Sequence, residues 1–405
     1  MEPIKITDDI YWVGAVDYDI RDFHGYLTPR GSTYNAYLIV DGETVTLVDT
    51  VRHGFEDELL SRVSKIVDPA RITQVISNHA EMDHSGGLPG IVRAIGSGKP
   101  VYASAMGVKN LHGQFPAEGL NLKDVAKEKP AEGGLTFQFL DTKMIHWPDS
   151  MFSFVPERGV LFSQDGFGLH YASTDRFDDQ VPWDLLRSLA VNYVANILTP
   201  YTPQIAKVLE TVKGSGLLER IRIICPDHGV VWRSEPGRII GLYAHLVTQA
   251  PARKAVVAFD TMWHSTEYMA RALTDALGAR GIETAYLSLK HNHRSQVATE
   301  AYEAAAVLVG TPTINNQLFP SVSDLLSYFR GLKFKNKIGA AFGSHGWSGE
   351  GAKIVQAELA GLGWKMPAPE VRVQWVPREE TLQPLFDLAG AVADEIDRVA
   401  PAAAV

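Results

Sequence analysis

The sequence predicts a two-domain α/β protein in which a strand-rich first domain precedes a doubly wound parallel sheet. The first observation is the length of 405 residues, which is more than one hydrophobic core usually serves. The second is the regular alternation of apolar strands and helices after residue 250, which is typical of a doubly wound sheet. A polar joint containing proline separates the two patterns, so we place the domains at 1–250 and 254–400, with the boundary at 250–254.

The first domain is predicted from short β signals with few helices between them. TYNAYLIVDGETVTLVDT (33–50) has two apolar runs around Asp41-Gly42, which predicts a β-hairpin. FEDELLSRVSKIV (55–67) has the spacing of an amphipathic helix, and ITQVIS (72–77) is typical of a strand. Further along, the pattern predicts strands over 135–142, 160–164 and 221–226 and a helix over 203–219.

The second domain begins with AVVAF (255–259), a short apolar run typical of a buried strand. Four more strands are predicted near 284–289, 306–310, 337–343 and 371–376. Five helices alternate with these strands, over 265–280, 294–304, 321–331, 350–362 and 381–398. This order predicts the doubly wound sheet named above.

Composition limits the partners, the cysteine chemistry and the location that we expect for this protein. The chain has 38 basic and 47 acidic residues and a net charge of −9, which disfavours nucleic acid or an anionic membrane as a partner. Cys225 is the only cysteine, so neither an intrachain disulfide nor a four-cysteine iron site can form, and a reducing cytoplasm fits best. The first residues lack a basic segment followed by an apolar one, and no apolar run is long enough to cross a bilayer. We therefore expect a cytoplasmic protein without a signal peptide or a membrane helix.

Potential metal ligands follow the predicted strands of the first domain. The strand over 72–77 leads to a dense loop with two histidines and two carboxylates, and three other strands each lead to one His or Asp. Side chains at strand ends can meet at one rim of a sheet although they are distant in sequence. Any one of them could be an ordinary polar residue, but together they predict a metal site. The candidates are His79, Glu81, Asp83, His84, His146, Asp165 and His228.

These motifs resemble those of the flavodiiron proteins, a branch of the metallo-β-lactamase fold that is also called A-type flavoproteins or rubredoxin:oxygen oxidoreductases. The similarity rests on the H-x-E-x-D-H loop (79–84), HWPDSM (146–151), SQDGFG (163–168), CPDHG (225–229) and DTMWHSTE (260–267), and it covers essentially the whole chain. It implies an αββα sandwich followed by a flavodoxin-like domain. It also implies one iron on His79, Glu81 and His146, a second on Asp83, His84 and His228, and a bridging Asp165.

Glu81 distinguishes this loop from a zinc loop of the form His-x-His-x-Asp-His. Zinc sites favour imidazole and thiolate, whereas carboxylate oxygen suits iron or manganese. Three carboxylates and one hydroxide balance the charge of two ferrous ions, and a neutral core is less costly to bury. Family members differ in whether the histidine at the position of His84 binds iron, so that ligand stays open. Carboxylate-rich sites can also hold zinc, which keeps a hydrolase as an alternative.

Other residues near these motifs are candidates for supporting roles. His24 and Tyr193 resemble family residues that line the diiron pocket and supply protons or hydrogen bonds, so we take them as catalytic candidates. Asp149, three residues after His146, could orient a ligand histidine or cap a turn. We interpret His170, together with His53 and His112, as an ordinary polar histidine.

A phosphate site is predicted where the first strand of the second domain meets its helix. Hydroxyls can converge there on the helix N-terminus, where backbone N–H groups favour anions. Two more loops follow apolar strands at the same carboxyl edge of the sheet, where open α/β sheets bind ligands. The set resembles the FMN site of flavodiiron proteins, with Thr261, Ser265 and Thr266 at the phosphate. The predicted FMN contacts are Thr261, Met262, Trp263, His264, Ser265, Thr266, Thr311, Pro312, Thr313, Ile314, Asn315, Asn316, Ser344, His345, Gly346, Trp347, Ser348 and Gly349.

The resemblance implies a flavodiiron reductase of O2, of NO or of both. Reduced FMN and a diferrous pair together supply the electrons that O2 needs to reach water. The family's arrangement is a head-to-tail homodimer or a dimer of dimers, and its usual donor is a separate rubredoxin, which one cysteine cannot build within this chain. Two alternatives remain: a zinc hydrolase of the metallo-β-lactamase class with an appended flavodoxin domain, and an electron carrier or redox sensor that uses FMN alone. The residues do not rank O2 against NO.

Overall fold

Two units divide the chain, and the computed structural model describes residues 1–401. The first unit comprises Met1–Phe23, Thr28–Tyr193 and Tyr201–Val247. The second begins at Thr248 and also takes two short segments from the first part of the chain, His24–Leu27 and Val194–Pro200. These two segments lie outside the predicted range 254–400.

The two early segments of the second unit are held there by hydrogen bonds. The backbone N–H of Leu27 donates to Oγ of Ser295 at 3.1 Å. Asn196 lies between two side chains of the same unit: its amide donates to Oγ1 of Thr299 at 3.1 Å, and its oxygen accepts from the Tyr328 hydroxyl at 2.8 Å. These contacts explain why segments so early in the sequence belong to this unit.

The strands up to residue 247 form two mixed sheets and two small pairs. In chain order they are β1 (Ile4–Lys5), β2 (Ile10–Trp12), β3 (Ala15–Asp17), β4 (Asp22–Phe23), β5 (Tyr26–Leu27), β6 (Ser32–Tyr34), β7 (Tyr37–Asp41), β8 (Thr44–Val48), β9 (Gln74–Ile76), β10 (Pro100–Ala103), β11 (Asn121–Asp124), β12 (Gln138–Asp141), β13 (Met151–Val155), β14 (Val160–Gln164) and β15 (Ile223–Pro226). The larger sheet has the order β1-β2-β7-β8-β9-β10-β11, and the second has the order β12-β13-β14-β15. The predicted hairpin is confirmed, because β7 and β8 pair antiparallel with Asp41 opposite Thr44.

Seven α-helices accompany these strands, the last of them after β15: α1 (Glu56–Val63), α2 (Met82–Ser85), α3 (Leu88–Ile95), α4 (Ala105–Gln114), α5 (Trp183–Tyr193), α6 (Thr202–Gly214) and α7 (Pro236–Leu246). The predicted helix over 203–219 ends at Gly214, and a separate 3-10 turn follows at Leu218–Arg220. A π-helical stretch, Val194–Leu198, continues α5.

Two apolar cores give the first unit its layers. One core joins the facing sides of the two sheets, with Ile39 and Ile76 from the larger sheet and Val155 and Phe162 from the smaller one. The other covers the opposite face of the larger sheet with α1, α3 and α4, through residues such as Leu59. Alternate residues of β13 and β14 point away from the first core towards α6 and α7, which follows from the two-residue period of a strand. The predicted αββα sandwich is confirmed.

The second unit is a five-stranded parallel sheet with helices between the strands. Its strands are β16 (Ala252–Phe259), β17 (Glu283–Ser288), β18 (Ala304–Pro312), β19 (Ile338–His345) and β20 (Val371–Gln374), in the order β17-β16-β18-β19-β20. Its helices are α8 (Ser265–Ala279), α9 (Arg294–Glu303), α10 (Pro320–Leu332), α11 (Glu350–Gly361) and α12 (Glu379–Val399). All four strand pairs are parallel, so the doubly wound sheet is confirmed. Within residues 1–401, none of the helices has the length and apolar character needed to cross a membrane.

Candidate functional site

The dense loop begins where β9 ends at Ile76 and continues into the short helix α2. His79 and Glu81 lie in the loop, whereas Asp83 and His84 lie on the helix, and all four side chains are buried. The loop is anchored by Asp49, whose carboxylate accepts hydrogen bonds from the backbone N–H and the side-chain amide of Asn78, at 2.6 and 2.7 Å. The position of His79 therefore depends on the end of the neighbouring strand β8.

The remaining candidates come from the second sheet. Asp165 directly follows β14, and His228 lies two residues after its parallel neighbour β15. His146 lies in the connection between β12 and β13. Adjacent parallel strands end at the same edge of a sheet, which explains why Asp165 and His228 are neighbours although they are far apart in sequence.

Three side chains form a first group around one oxygen of Asp165. Nε2 of His146 lies 2.9 Å from Oδ2 of Asp165 and 2.9 Å from Oε2 of Glu81. Nε2 of His79 lies 3.4 and 3.2 Å from the same two oxygens. Ligand atoms bound at right angles to one metal, each about 2.1 Å from it, are about 3 Å apart, so these separations suit a shared ion.

A second group surrounds the other oxygen of Asp165. Oδ1 of Asp165 lies 3.1 Å from Nε2 of His84 and 3.5 Å from Nε2 of His228. Oδ2 of Asp83 lies 3.3 and 3.1 Å from the same two nitrogens. The two oxygens of Asp165 therefore face different groups, which is the geometry of a carboxylate that bridges two ions.

All four histidines direct Nε2 into the cluster, and three of them have an acceptor near the other ring nitrogen. Nδ1 of His228 donates to the backbone oxygen of Thr33 at 2.6 Å, which fixes the tautomer that leaves Nε2 available. Nδ1 of His79 faces Asp149 at 3.8 Å, and Nδ1 of His84 faces Asp227 at 3.7 Å. The hydrogen bond at His228 orients that imidazole for a metal, whereas the carboxylates near His79 and His84 lie beyond hydrogen-bond distance.

The electrostatics of the cluster favour a cation. Burial alone would lower the pKa of His146, but its contacts with Asp165 and Glu81 outweigh burial and raise the pKa to about 9. Burial would raise the pKa of Asp165, but the surrounding imidazoles hold it well below its ordinary value. The carboxylates are thus stabilised by positive charge, which metal ions supply when the imidazoles are neutral ligands.

Buried atoms without a hydrogen-bond partner provide a separate test of the fit to metal. The buried atoms that lack a hydrogen-bond partner include both carboxylate oxygens of Asp83, Oδ1 of Asp165 and Nε2 of His84. Leaving such groups buried and unpaired costs about 1 to 3 kcal/mol each. Carboxylate and imidazole together are also a donor set that suits iron, so the residues fit a pair of iron ions.

The second unit presents three loops at one edge of its sheet. Strands β16, β18 and β19 are neighbours and parallel, so the loops that follow them, at 260–264, 313–319 and 346–349, meet at the carboxyl edge. These loops, with the ends of their strands and the start of α8, contain all the residues predicted to contact FMN. The aromatic rings of Trp263 and Trp347 are 87% and 86% exposed there, so flat apolar faces are open to a ligand or a partner.

The loop before α8 fits a phosphate. The hydroxyl of Thr261 is buried without a hydrogen-bond partner, and that of Thr266 lies 2.8 Å from the Ser344 hydroxyl. His264, the residue before the helix, has a left-handed backbone with φ of 67°, which lets the loop turn into α8 without a glycine. A helix N-terminus with nearby hydroxyls is a common site for a phosphate group, so the edge fits FMN.

Comparison with known proteins decides the family. Residues 33–229 match the family model described as ODP family beta lactamase, and residues 257–388 match the flavodoxin model. A nitric oxide reductase of Moorella thermoacetica is 43% identical, over 98% of this chain and 99% of the relative. A rubredoxin-oxygen oxidoreductase of Megalodesulfovibrio gigas is 41% identical, over 97% and 98%. The crystal structure of the flavodiiron protein from Giardia intestinalis superimposes with a TM-score of 0.92 at 32% identity, covering 99% of both chains.

This chain belongs to the flavodiiron protein family.

Membership settles the class of protein and its cofactors. As a flavodiiron protein the chain is an oxidoreductase, its flavodoxin domain takes FMN, and its other domain takes a diiron centre. The zinc hydrolase alternative finds no support, because the similarity spans both domains of proteins named nitric oxide reductase and rubredoxin-oxygen oxidoreductase.

The residues predicted to support this flavodiiron centre lie in different places. Tyr193 is buried at the end of α5, with its ring centroid 6.1 Å from that of His228. Asp149 accepts a hydrogen bond at 2.7 Å from the backbone N–H of Ala80, next to His79. His24 lies in the turn between β4 and β5 with φ of 51°, in a segment that groups with the second unit, and its role stays a prediction.

Sequence reasoning missed two buried residues at the cluster. Asp227 is fully buried, both its oxygens lack hydrogen-bond partners, and it forms a possible metal-holding group with His84 and Asp165. His170, which we interpreted as an ordinary polar histidine, is buried with its ring centroid 4.6 Å from that of His228 and its Nδ1 2.7 Å from Oγ of Ser32. The strand end at Pro226 was a signal for Asp227, since that residue follows it directly. Nothing in the sequence signalled His170.

Proposed function

We propose that this protein reduces O2 to water, NO to N2O, or both, at a diiron centre that receives electrons through FMN. The observation that carries the proposal is the position of Asp165, whose two oxygens each face a separate pair of imidazoles and a private carboxylate. A pair of iron ions held by these groups would supply electrons to a diatomic gas and would polarise it. The names of the two reductases reported above support the same pair of substrates.

The metal ligands follow from the two groups. His79, Glu81 and His146 would hold one iron, and Asp83, His84 and His228 would hold the other, with Asp165 available to both groups. Nε2 of His84 lies close to Asp83 and Asp165, at 3.3 and 3.1 Å, which supports its inclusion in the set.

The remaining residues orient groups and move protons. The backbone oxygen of Thr33 keeps His228 in the tautomer that presents Nε2. His24 and Tyr193 donate protons or hydrogen bonds to the bound gas. In the second unit, the hydroxyls of Thr261, Ser265 and Thr266 would hold the FMN phosphate, and the segments 313–316 and 344–349 would surround the ring system and its side chain.

The electron donor in this proposal is a small separate protein of the rubredoxin type. The chain has one cysteine and cannot ligate a rubredoxin iron by itself. The relative named rubredoxin-oxygen oxidoreductase supports this donor.

We also propose a head-to-tail homodimer, or a dimer of dimers. In this arrangement the FMN of one chain would pass electrons to the diiron centre of the other. The support is the exposed apolar surface at the FMN edge, where Trp263, Trp347 and Trp375 are 87%, 86% and 60% exposed. Rings as exposed as these are commonly covered by a partner.

The deciding experiment is anaerobic stopped-flow of the reduced protein with O2 and with NO, with iron and FMN measured on the same sample. We expect about two iron ions and one FMN per chain, and reoxidation of both within the dead time or soon after it with at least one gas. Replacing Glu81 and Asp165 by Ala should abolish gas reduction while FMN stays bound. Gas reduction that survives both substitutions, or a protein that contains zinc and turns over esters, would overturn the proposal.

A further inference from the structure

A small apolar cavity lies on the outer side of the second sheet, within the first unit. Its volume is about 20 Å³, which is enough for one small molecule. The sheet provides Phe152 and Leu161 as one wall, and α6 and α7 provide the opposite wall with residues such as Val212 and Ile240. The cavity therefore occupies the layer between the sheet and the helices that cover it.

The wall of this cavity includes the segments that carry two residues of the metal cluster. Ile145 lines the cavity and directly precedes His146, whereas Gly166 and Phe167 line it and directly follow Asp165. The two segments are tied together, because the side-chain amide of Gln164 donates to the backbone oxygen of Ile145 at 2.6 Å. A molecule in the cavity is thus separated from the cluster by the width of these segments.

The chemistry of the lining selects for an uncharged ligand. The lining consists of hydrocarbon side chains, one glycine and Tyr243, whose hydroxyl donates to the backbone oxygen of Gly168. Cavities with such linings stay free of water and accept apolar molecules such as xenon. O2 and NO are small, uncharged and weakly hydrated, so they are favoured over water and ions in this space.

We propose that the cavity under α6 and α7 is a binding site for a diatomic gas, which it holds beside the metal cluster before the gas reaches the irons. The identity of the gas rests on the proposed function, but the apolar site itself does not. The site raises the local concentration of substrate and changes the rate of gas capture without taking part in the chemistry.

The first test is independent of activity. Crystals of the protein loaded with iron and FMN are pressurised with xenon, and the anomalous signal of xenon is measured. We expect a xenon peak between Phe152 and Val212. Xenon that binds only elsewhere, or ordered water inside the cavity, would overturn the proposal. If xenon binds there but the protein reduces neither gas, the proposed function fails and the apolar site stands.

The second test fills the cavity. Val212 is buried on α6 and lines the cavity, so Val212→Phe places a ring inside it. Lys213→Phe adds the same ring to the exposed side of the same helix and is the matched control. We expect Val212→Phe to lose the xenon peak and to lower kcat/KM for the gas by about tenfold, with kcat at saturating gas unchanged.

An unchanged kcat/KM in a Val212→Phe protein whose crystal structure shows the cavity filled would also overturn the proposal. A Val212→Phe protein that does not fold leaves the decision with the xenon measurement on the unmodified protein.

Discussion

Asp165 is the residue around which the metal cluster is arranged, because each of its oxygens serves a different pair of imidazoles. Its position just after β14 places it on a sheet edge instead of a mobile loop. A short, fully buried strand therefore sets the spacing of the two groups, which is the property that a two-metal site needs most.

Asp149 is the residue whose role can be tested most directly. Its carboxylate accepts from the backbone of Ala80 and from the Asn110 amide, and it faces Nδ1 of His79. Asp149→Asn keeps the size but removes the charge that favours a hydrogen-donating His79. We expect iron affinity to fall by about 10- to 100-fold, the usual effect of losing such a partner. The measurement is iron retained against a chelator.

The matched control for this prediction is Asp141→Asn, on an exposed position of β12. It should retain iron like the unmodified protein. Equal retention in Asp149→Asn and Asp141→Asn would show that Asp149 only caps its turn.

At this scale the sequence predicted most of the cluster, since the predicted metal ligands all lie in the two groups. The closely spaced ligands of residues 79–84 and the single His or Asp residues just after predicted strands can both be recognised from a short stretch of sequence. Asp227 was missed although its place directly after a predicted strand was a signal of the same kind. His170 was missed for a physical reason: its importance comes from burial next to His228, and burial of a single polar residue has no signature in a single sequence.

At the scale of elements, the turn from β16 into α8 is where the FMN phosphate is expected to bind. Thr261→Ala removes a buried hydroxyl that has no protein partner. We expect FMN to bind about tenfold more weakly, since the hydroxyl would otherwise satisfy a phosphate oxygen, while the iron content stays the same. FMN release measured by flavin fluorescence checks this.

Thr274→Ala, on the same helix, is the control, because its hydroxyl bonds only to the backbone oxygen of Ala270. If Thr261→Ala and Thr274→Ala both bind FMN as tightly as the unmodified protein, the phosphate does not bind at Thr261.

The residue before β19 is a buried lysine that makes the free energy of unfolding depend on pH. Lys337 donates to the backbone oxygens of Tyr302 and Ala304, and burial lowers its pKa from 10.5 to about 7. Between these values the unfolded chain holds a proton that the folded chain releases, so the free energy of unfolding rises with pH. Lys337→Met should remove part of this rise.

The measurement is urea denaturation at about pH 7 and about pH 9, the lower and middle parts of that window. Lys335→Met, at an exposed neighbouring position, should show the same increase in the free energy of unfolding with pH as the unmodified protein. If the free energy of unfolding of Lys337→Met increases with pH by the same amount, Lys337 is not the cause of the pH dependence.

The regular elements of the second unit were the ones that the sequence predicted well. All five strands and five helices of the second unit are where the alternation placed them, to within a few residues. The short strands before residue 35 were not predicted individually, because two or three residues are too few to show a period. The π-helical stretch after α5 was missed for a related reason, since its irregular turn depends on packing within the second unit.

At the scale of the whole molecule, the head-to-tail dimer makes a prediction about mixed chains. Glu81→Ala/Asp165→Ala lacks the metal site but keeps FMN, whereas Ser265→Glu repels the FMN phosphate but keeps the metal site. Neither should be active alone. Unfolded, mixed and refolded together with both cofactors, they should regain about a quarter of the normal activity, since about half of the dimers would be mixed, each with one working pair.

Size-exclusion chromatography of the mixture confirms that dimers have formed. Dimers that form without any recovered activity would show that electrons pass within one chain, contrary to the proposed arrangement.

The two early segments of the second unit have a practical consequence. His24–Leu27 and Val194–Pro200 remain bonded to Ser295, Thr299 and Tyr328 whether or not the peptide chain is continuous near residue 250. A protease that nicks the joint there would yield two bands on a denaturing gel but a single peak on a native column. The two fragments could separate only if the second unit unfolded. The cut protein would therefore remain associated under native conditions.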